Sequence, residues 1–328
     1  MTRLLYRLTL LAAAVLAAGS LAAKAPEYRR VEARENAQKP EWKSYEAKTV
    51  DRLPGFNCRK SDPKQSVYGG WMVDRQEATG FFRTQQIGGR WWMITPEGNL
   101  YICKGVAVFS AGGSDRQQAK LQEKFGSTSE WARQETSMLK ARGFNGLGAW
   151  SNVETVRKLT EPMPYTVIVS PMGKLNSYIK SSGEEADASW SGWEGYPNDF
   201  AMVFHPKFDE YVEIKTISKY KDDPYCIGYF TDNEIPWKDY ALDRCLEKWP
   251  ETHINHRKAQ EWLDLRKGKT GAKLSEATDA DRRAFIAYCL DIYLEKVTAA
   301  IKKYDPNHLY LGCRFNQWNY ELVNDEIF

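Results

Sequence analysis

Three consecutive polar residues, Asp232, Asn233 and Glu234, end the apolar, β-prone run Cys226-Ile-Gly-Tyr-Phe-Thr231, and Pro236-Trp237 follows almost at once. A strand that delivers an amide and a carboxylate at its tip can cleave a sugar. The carboxyl gives a proton to a glycosidic oxygen while the amide holds a neighbouring hydroxyl. A plain polar turn uses the same residue types, because Asp and Asn leave the extended conformation readily. Asp232 is the rival acid, since in a regular strand it shares a face with Glu234 and opposes Asn233. A carboxyl sunk in an apolar, aromatic-lined cleft is desolvated and keeps its proton, which the first step of such a cleavage needs.

Flat aromatic rings stack on the apolar faces of sugars, and the chain holds twelve Trp. Trp150 and Trp237 lie nearest to expected strand ends, and Trp190 and Trp193 lie in a long Ser/Gly-rich stretch. Trp91, Trp92 and Trp131 read as packing. Arg314 closes another apolar run, where its planar fork can hold a sugar hydroxyl or orient a carboxylate. His253 and His256 share a helical face without a third ligand nearby, which fits a surface helix better than a metal site. His205-Pro206 reads as a turn. The six Cys form no CxxC pair, and no GxSxG elbow is present. Sugar cleavage by carboxylates requires no metal or organic cofactor.

These side chains need a scaffold, and the pattern along the chain supplies one. Residues 56–99 read as a small β unit, with Gly88-Gly89 as a two-residue hairpin turn between 80–87 and 90–95. From residue 100 onward, apolar strands at about 100–110, 144–150, 166–171, 225–234 and 309–315 alternate with helices at 127–142, 152–161, 208–220 and 282–303. Ser127-x-x-Glu130 has the form of a capping box. Repeated βα units imply a parallel sheet covered by helices. Ser110-Ala-Gly-Gly-Ser-Asp115 lacks the GxGxxG spacing of a doubly wound sheet. The expected fold is therefore α/β of the (β/α)8 TIM-barrel type, with polar tips at the carboxyl ends of its strands. About five βα units fall within residues 100–328, so the barrel is expected to be incomplete.

Residues 1–22 read as a cleavable secretory leader: Arg3 and Arg7, an apolar stretch, then small residues at Ser20-Leu21-Ala22. Residues 23–55, charged and proline-bearing, read as a linker or arm. The formal net charge is +3, and two of the basic residues lie in the leader. A near-neutral exported chain has no electrostatic reason to bind nucleic acid or an acidic membrane, so a neutral glycan is the expected partner.

The segments Ala78-Thr-Gly-Phe-Phe-Arg-Thr84, Gly89-Arg-Trp-Trp-Met-Ile-Thr-Pro-Glu-Gly98, Gly143-Phe-Asn145, Gly228-Tyr-Phe-Thr-Asp-Asn-Glu-Ile-Pro-Trp237 and Tyr310-Leu-Gly-Cys-Arg-Phe315 together resemble β-agarase-like glycoside hydrolases. The resemblance covers roughly residues 68–316, and it is most specific where the Asn-Glu pair ends the fourth strand. It implies a retaining enzyme with Glu234 as general acid/base and Asn233 as partner of the sugar 2-hydroxyl. It also implies a second carboxylate, the nucleophile, on a seventh strand. Glu321, Asp325 and Glu326 are the late acids, and they read as solvated helix positions. The expectation is thus the front part of an exported enzyme acting on β-linked galactan, lacking its nucleophile as an isolated chain. Two alternatives are a related β-glycosidase with another substrate, since loops set specificity, and a non-catalytic glycan-binding remnant.

Overall fold

The computed structural model describes residues 28–35, 38–48, 64–183, 200–212, 215–235 and 240–315. The leader, Trp190, Trp193, Trp237 and the late acids Glu321, Asp325 and Glu326 lie outside the described residues. The chain divides into two compact units, Met1–Asp62 and Pro63–Phe328. Among the described residues, no helix is long and apolar enough to cross a membrane.

In the first unit, β1 (Arg29–Ala33) and β2 (Lys43–Ala47) pair antiparallel, with Val31 opposite Tyr45. Sequence predicts only a linker here. The β-prone Val31 and Tyr45 are too sparse in a charged segment to stand out as strands.

The second unit opens with a four-stranded antiparallel sheet. Its strands are β3 (Trp71–Arg75), β4 (Arg83–Ile87), β5 (Arg90–Ile94) and β6 (Asn99–Tyr101), in the order β3-β6-β5-β4. The hairpin turns at Gly88-Gly89, as expected, with Ile87 opposite Arg90. The expected strand 100–110 is two strands in two sheets. β6 ends at Tyr101, and β7 (Gly105–Val106) starts the parallel sheet.

Helices α1 (Asp115–Phe125) and α2 (Thr128–Ala141) follow, the latter capped by Ser127, whose side chain accepts from the Glu130 amide. Then come β8 (Gly146–Leu147), a short α3 (Val153–Val156), β9 (Tyr165–Val169) and α4 (Pro171–Ser182). Pro171 does more than end a strand: it occupies the first turn of α4, where a missing N–H leaves no bond unmade. The helix expected over 208–220 is α5 (Phe208–Val212) and a separate 3-10 segment, Lys215–Tyr220. After β10 (Cys226–Asn233) come α6 (Ala241–Glu247), α7 (Ile254–Lys267), the long α8 (Asp279–Tyr304) and β11 (Leu309–Arg314).

The second sheet has the order β11-β10-β9-β8-β7, every neighbour parallel and every step sequential. The result is a mixed α/β fold. Its main core joins the strands to α2, α4, α6, α7 and α8 through residues such as Leu147, Tyr165, Leu175, Leu242, Leu263, Phe285 and Val297. A smaller cluster of Phe82, Tyr101 and Ile227 lies between the antiparallel sheet and the parallel one.

At the amino ends of the middle strands a polar network is sealed in. Asp305 accepts from the Tyr229 hydroxyl, lies 2.6 Å from His308 Nδ1, and accepts from the backbone amides of Asn307 and His308 at 3.1 Å. Burial pushes the Asp305 carboxyl up, but the bonds from His308 and Tyr229 outweigh it and hold the pKa down at about 2.

Candidate active site

The strand carrying the Asn-Glu pair is apolar because both its edges and both its faces are covered. β10 runs parallel between β9 and β11, and seven of its eight residues are buried. Gly228 is required where β10 and β11 approach: a Cβ there would lie 2.2 Å from the Leu309 carbonyl oxygen.

Toward its tip the pairing with β11 loses its regular step. Tyr229 faces Tyr310, Thr231 faces Cys313 and Asn233 faces Arg314, so first one strand and then the other carries an extra residue. Gly312, at φ 83, takes up the first irregularity. Asp232 takes up the second, with φ 48. Such bulges bend a strand and re-aim its side chains. Glu234 adopts φ 53, and its amide donates to the Arg314 carbonyl at 2.7 Å, so the tip stays tied to β11.

The left-handed residue at 232 breaks the alternation expected from the sequence. Asp232 is 0% exposed and turns into the helix layer. Its Oδ2 accepts from the Tyr293 hydroxyl at 2.6 Å and from the Met172 amide at 3.3 Å. That amide belongs to the first turn of α4, where N–H groups lack helical partners and a negative charge is favoured. Burial first, and the Asp232 charge second, push the Tyr293 phenol well up, so it serves as a neutral donor. Asp232, the rival acid of the sequence, is sealed from solvent here. It buttresses the strand tip instead. Tyr293 was not singled out from the sequence, where it is one apolar-face position among many in a long helix.

Asn233 is 4% exposed and Glu234 is half-buried. Glu234 Oε2 is shielded from solvent and has no hydrogen-bond partner among the described residues. A buried carboxylate oxygen left without a partner is costly in a finished fold, and its natural complement is a bound hydroxyl or water.

Trp150 and Arg314 meet. The Arg314 Cζ lies 4.3 Å from the centre of the Trp150 ring, which is 43% exposed. Trp150 has φ 59, and the loop around it is fixed by three bonds: Val108 N to Ala149 O at 2.8 Å, Asn152 N to Phe109 O at 2.7 Å, and Phe109 N to Ser151 Oγ at 3.1 Å. Arg314 Nη1 is buried and has no hydrogen-bond partner among the described residues. Among the described residues, Val108 (φ 57), Trp150, Asp232 and Glu234 are the non-glycine residues with positive φ, and each follows or ends a parallel strand. Backbone strain of this kind is held in place by surrounding structure and gathers at functional sites.

The other aromatic and histidine expectations resolve unevenly. Trp131 stacks on Phe109 at 4.5 Å, a packing role. Trp91 was read as packing but is 69% exposed. His253 accepts from the Asn255 amide to cap α7 and stacks on Trp249, and His205 accepts from the Lys207 amide in a turn. Among the described residues, no group of His, Cys, Asp and Glu is arranged to hold a metal ion.

No family model matches the chain. A curated relative, β-agarase B of Vibrio sp. (strain JT0107), is 24% identical over 382 aligned positions, covering 83% of this chain and 38% of the relative. Among solved structures, BpGH50 superposes with a TM-score of 0.65 at 22% identity, over 91% of this chain and 68% of that one. The agarase AgWH50C gives 0.62 at 22% identity, over 81% and 46%. An exo-β-agarase gives 0.61 at 18% identity, over 80% and 51%. The chain spans about two fifths of the curated relative, and the resemblance to β-agarase-like glycoside hydrolases holds in sequence and in fold.

Proposed function

We propose that this chain carries the acid/base half of a retaining glycoside hydrolase acting on agarose-like, β-linked galactan. The observation that carries the reading is the tip of β10: Glu234 presents a shielded carboxylate oxygen without a partner, beside Asn233 and next to the strand that bears Arg314. In the first step Glu234 gives its proton to the glycosidic oxygen as the bond to the sugar breaks. A second carboxylate, outside the described residues, takes the sugar as a covalent ester. In the second step Glu234, now ionised, removes a proton from water, which attacks the same carbon and releases the carboxylate. Asn233 donates to the 2-hydroxyl, and the Trp150 ring with the Arg314 guanidinium forms a shelf for a sugar ring.

A (β/α)8 barrel is the fold this reading invokes. It is supported by five parallel strands in sequential order, by helices between them, and by side chains from β11 and the β8 loop converging over the tips. Export by the amino-terminal leader completes the proposal, because a polymeric galactan lies outside the cell.

A second reading, a non-catalytic glycan-binding protein, is favoured by one observation: the Trp150–Arg314 shelf is formed without any contribution from a second carboxylate. Incubating the protein as secreted, isolated with an antibody against this region, and its Glu234→Gln variant with agarose and neoagaro-oligosaccharides separates the two. Hydrolysis that vanishes in Glu234→Gln supports the enzyme. Equal hydrolysis by that variant overturns the assignment, and binding without hydrolysis by either protein favours the second reading. Release from β-glucan or mannan alone would replace galactan as the substrate.

A further inference from the structure

A second, ring-sized hollow lies on the antiparallel sheet. Ile94 pairs with Leu100 and Leu100 with Trp71, so these three share a face. Alternation adds Trp92 and Ile102 to it. The opposite face, with Met93 and Tyr101, is the one packed on Phe82 and Ile227. Trp71, Trp92 and Ile102, together with Gln65, Lys104 and Asn145, line a cavity of about 220 Å³. Drug-sized ligands fill about 300 Å³ or more, so this hollow suits a single ring.

Its lining has the two components a sugar needs. Trp71 is 46% and Ile102 64% exposed, and neither Trp71 nor Trp92 stacks on another ring or lies under a cation among the described residues. The Lys104 ammonium and the Gln65 amide have no side-chain partner among the described residues. Asn145 is different: its amide donates to the Gly69 and Ile102 carbonyls at 3.0 Å and its oxygen accepts from the Lys104 amide at 2.7 Å. It fixes the floor and leaves the donors on the walls free. Uncovered indole faces beside uncommitted donors match the apolar faces and hydroxyl edges of a pyranose. An extended peptide or lipid would need a longer apolar track than one ring-sized hollow.

We propose that this hollow is a second glycan site, holding one pyranose of a neutral galactan chain away from the site of cleavage. The galactan identity of the ligand rests on the reading of the strand tips; the site itself does not. Lys104 and Asn145 precede β7 and β8, at the amino ends of the parallel strands, whereas Glu234 follows the carboxyl end of β10. A strand of that length spans about 25 Å. A sugar bound here therefore anchors polymer and takes no part in the reaction.

The test uses the 328-residue chain, with agarose beads for retention and neoagarohexaose for titration by Trp fluorescence. Trp71→Ala and Lys104→Ala are surface changes, with circular dichroism confirming the fold. Retention lost by about tenfold or more in Trp71→Ala, with Lys104→Ala weaker than wild type and the exposed-surface control Trp91→Ala unchanged, is the expected result. Unchanged binding in the Trp71 and Lys104 variants, with loss only in Trp150→Ala, overturns this site and leaves the galactan reading intact. Trp71-dependent retention on mannan or β-glucan but not agarose keeps the site and sinks the galactan reading. No retention on any of these polymers overturns the site.

Discussion

The Arg314 guanidinium lies 4.3 Å from the centre of the Trp150 ring, although the two residues belong to β11 and to the loop after β8, three places apart in the parallel sheet. Three strand spacings are about 14 Å in a flat sheet, so both long side chains lean inward over the tips of β9 and β10. The guanidinium lies over the indole, and its buried Nη1 has no hydrogen-bond partner among the described residues. Replacing Arg314 with Lys keeps the charge and loses the planar fork. We expect Arg314→Lys to weaken neoagarohexaose binding by about 1 kcal/mol, with melting temperature nearly unchanged. Calorimetric titration at two salt concentrations checks this, and wild-type affinity in the variant would show that the shelf does not touch the ligand.

Asp232 and Tyr293 form the buried support of the tip. Tyr293→Phe removes a donor to a buried carboxylate and is expected to destabilise the protein by about 2 kcal/mol. Asp232→Ala, which strips both Tyr293 and the α4 amide of their acceptor, should cost about 3 kcal/mol or more. Urea unfolding of the single and double variants gives the coupling between them. Additive effects would mean that the 2.6 Å bond carries no energy of its own.

Val108 holds a left-handed backbone that β-branched residues avoid. Its side chain is largely exposed, so little packing is lost on replacement. Val108→Asn is expected to stabilise the protein by about 0.5–1 kcal/mol, because Asn tolerates this conformation. A higher midpoint in thermal unfolding is the signature, and a lower one would show that the Val108 side chain makes contacts that outweigh the strain.

Asp305 makes stability depend on acid. Its folded pKa is depressed to about 2 from an ordinary value of 3.8, so its contribution is present above pH 4 and is lost as the pH falls toward 2. The shift corresponds to about 2 kcal/mol. Asp305→Asn should remove most of that slope between pH 4 and 2 while lowering stability at pH 7. If urea midpoints of wild type and variant fall in parallel across this range, the acid sensitivity lies elsewhere.

The five parallel strands, the Gly88-Gly89 hairpin, the capped helix after Ser127 and the polar tip of β10 were legible because each rests on local pattern: apolar runs, a two-glycine turn, a capping residue, an abrupt change of polarity. What alternation misjudged at Asp232 was set by tertiary structure. The two irregular steps against β11 and the anchors on α4 and α8 turn the side chain to the side opposite to that of an ideal strand. Tyr293 was invisible for the same reason, since only the folded chain brings it to a residue 61 positions away. Helix α7 shows in the sequence only as the surface helix around His253 and His256; α1 and α4 are missed where Lys, Gln and Ser blur the apolar stripe, and α6 because seven residues are too few to show a period.

The helix that holds Asp232 also ends at Asp305, the residue that binds Tyr229 on the same strand. Twelve positions along that helix, about 18 Å of rise, separate its two fastenings to β10. A rod fastened at two points keeps the strand tip at a set height whatever the surrounding loops become. Loops over the tips can then be lengthened or exchanged without moving it. Inserting or deleting a single residue between Tyr293 and Asp305 would throw one fastening out of reach of the other.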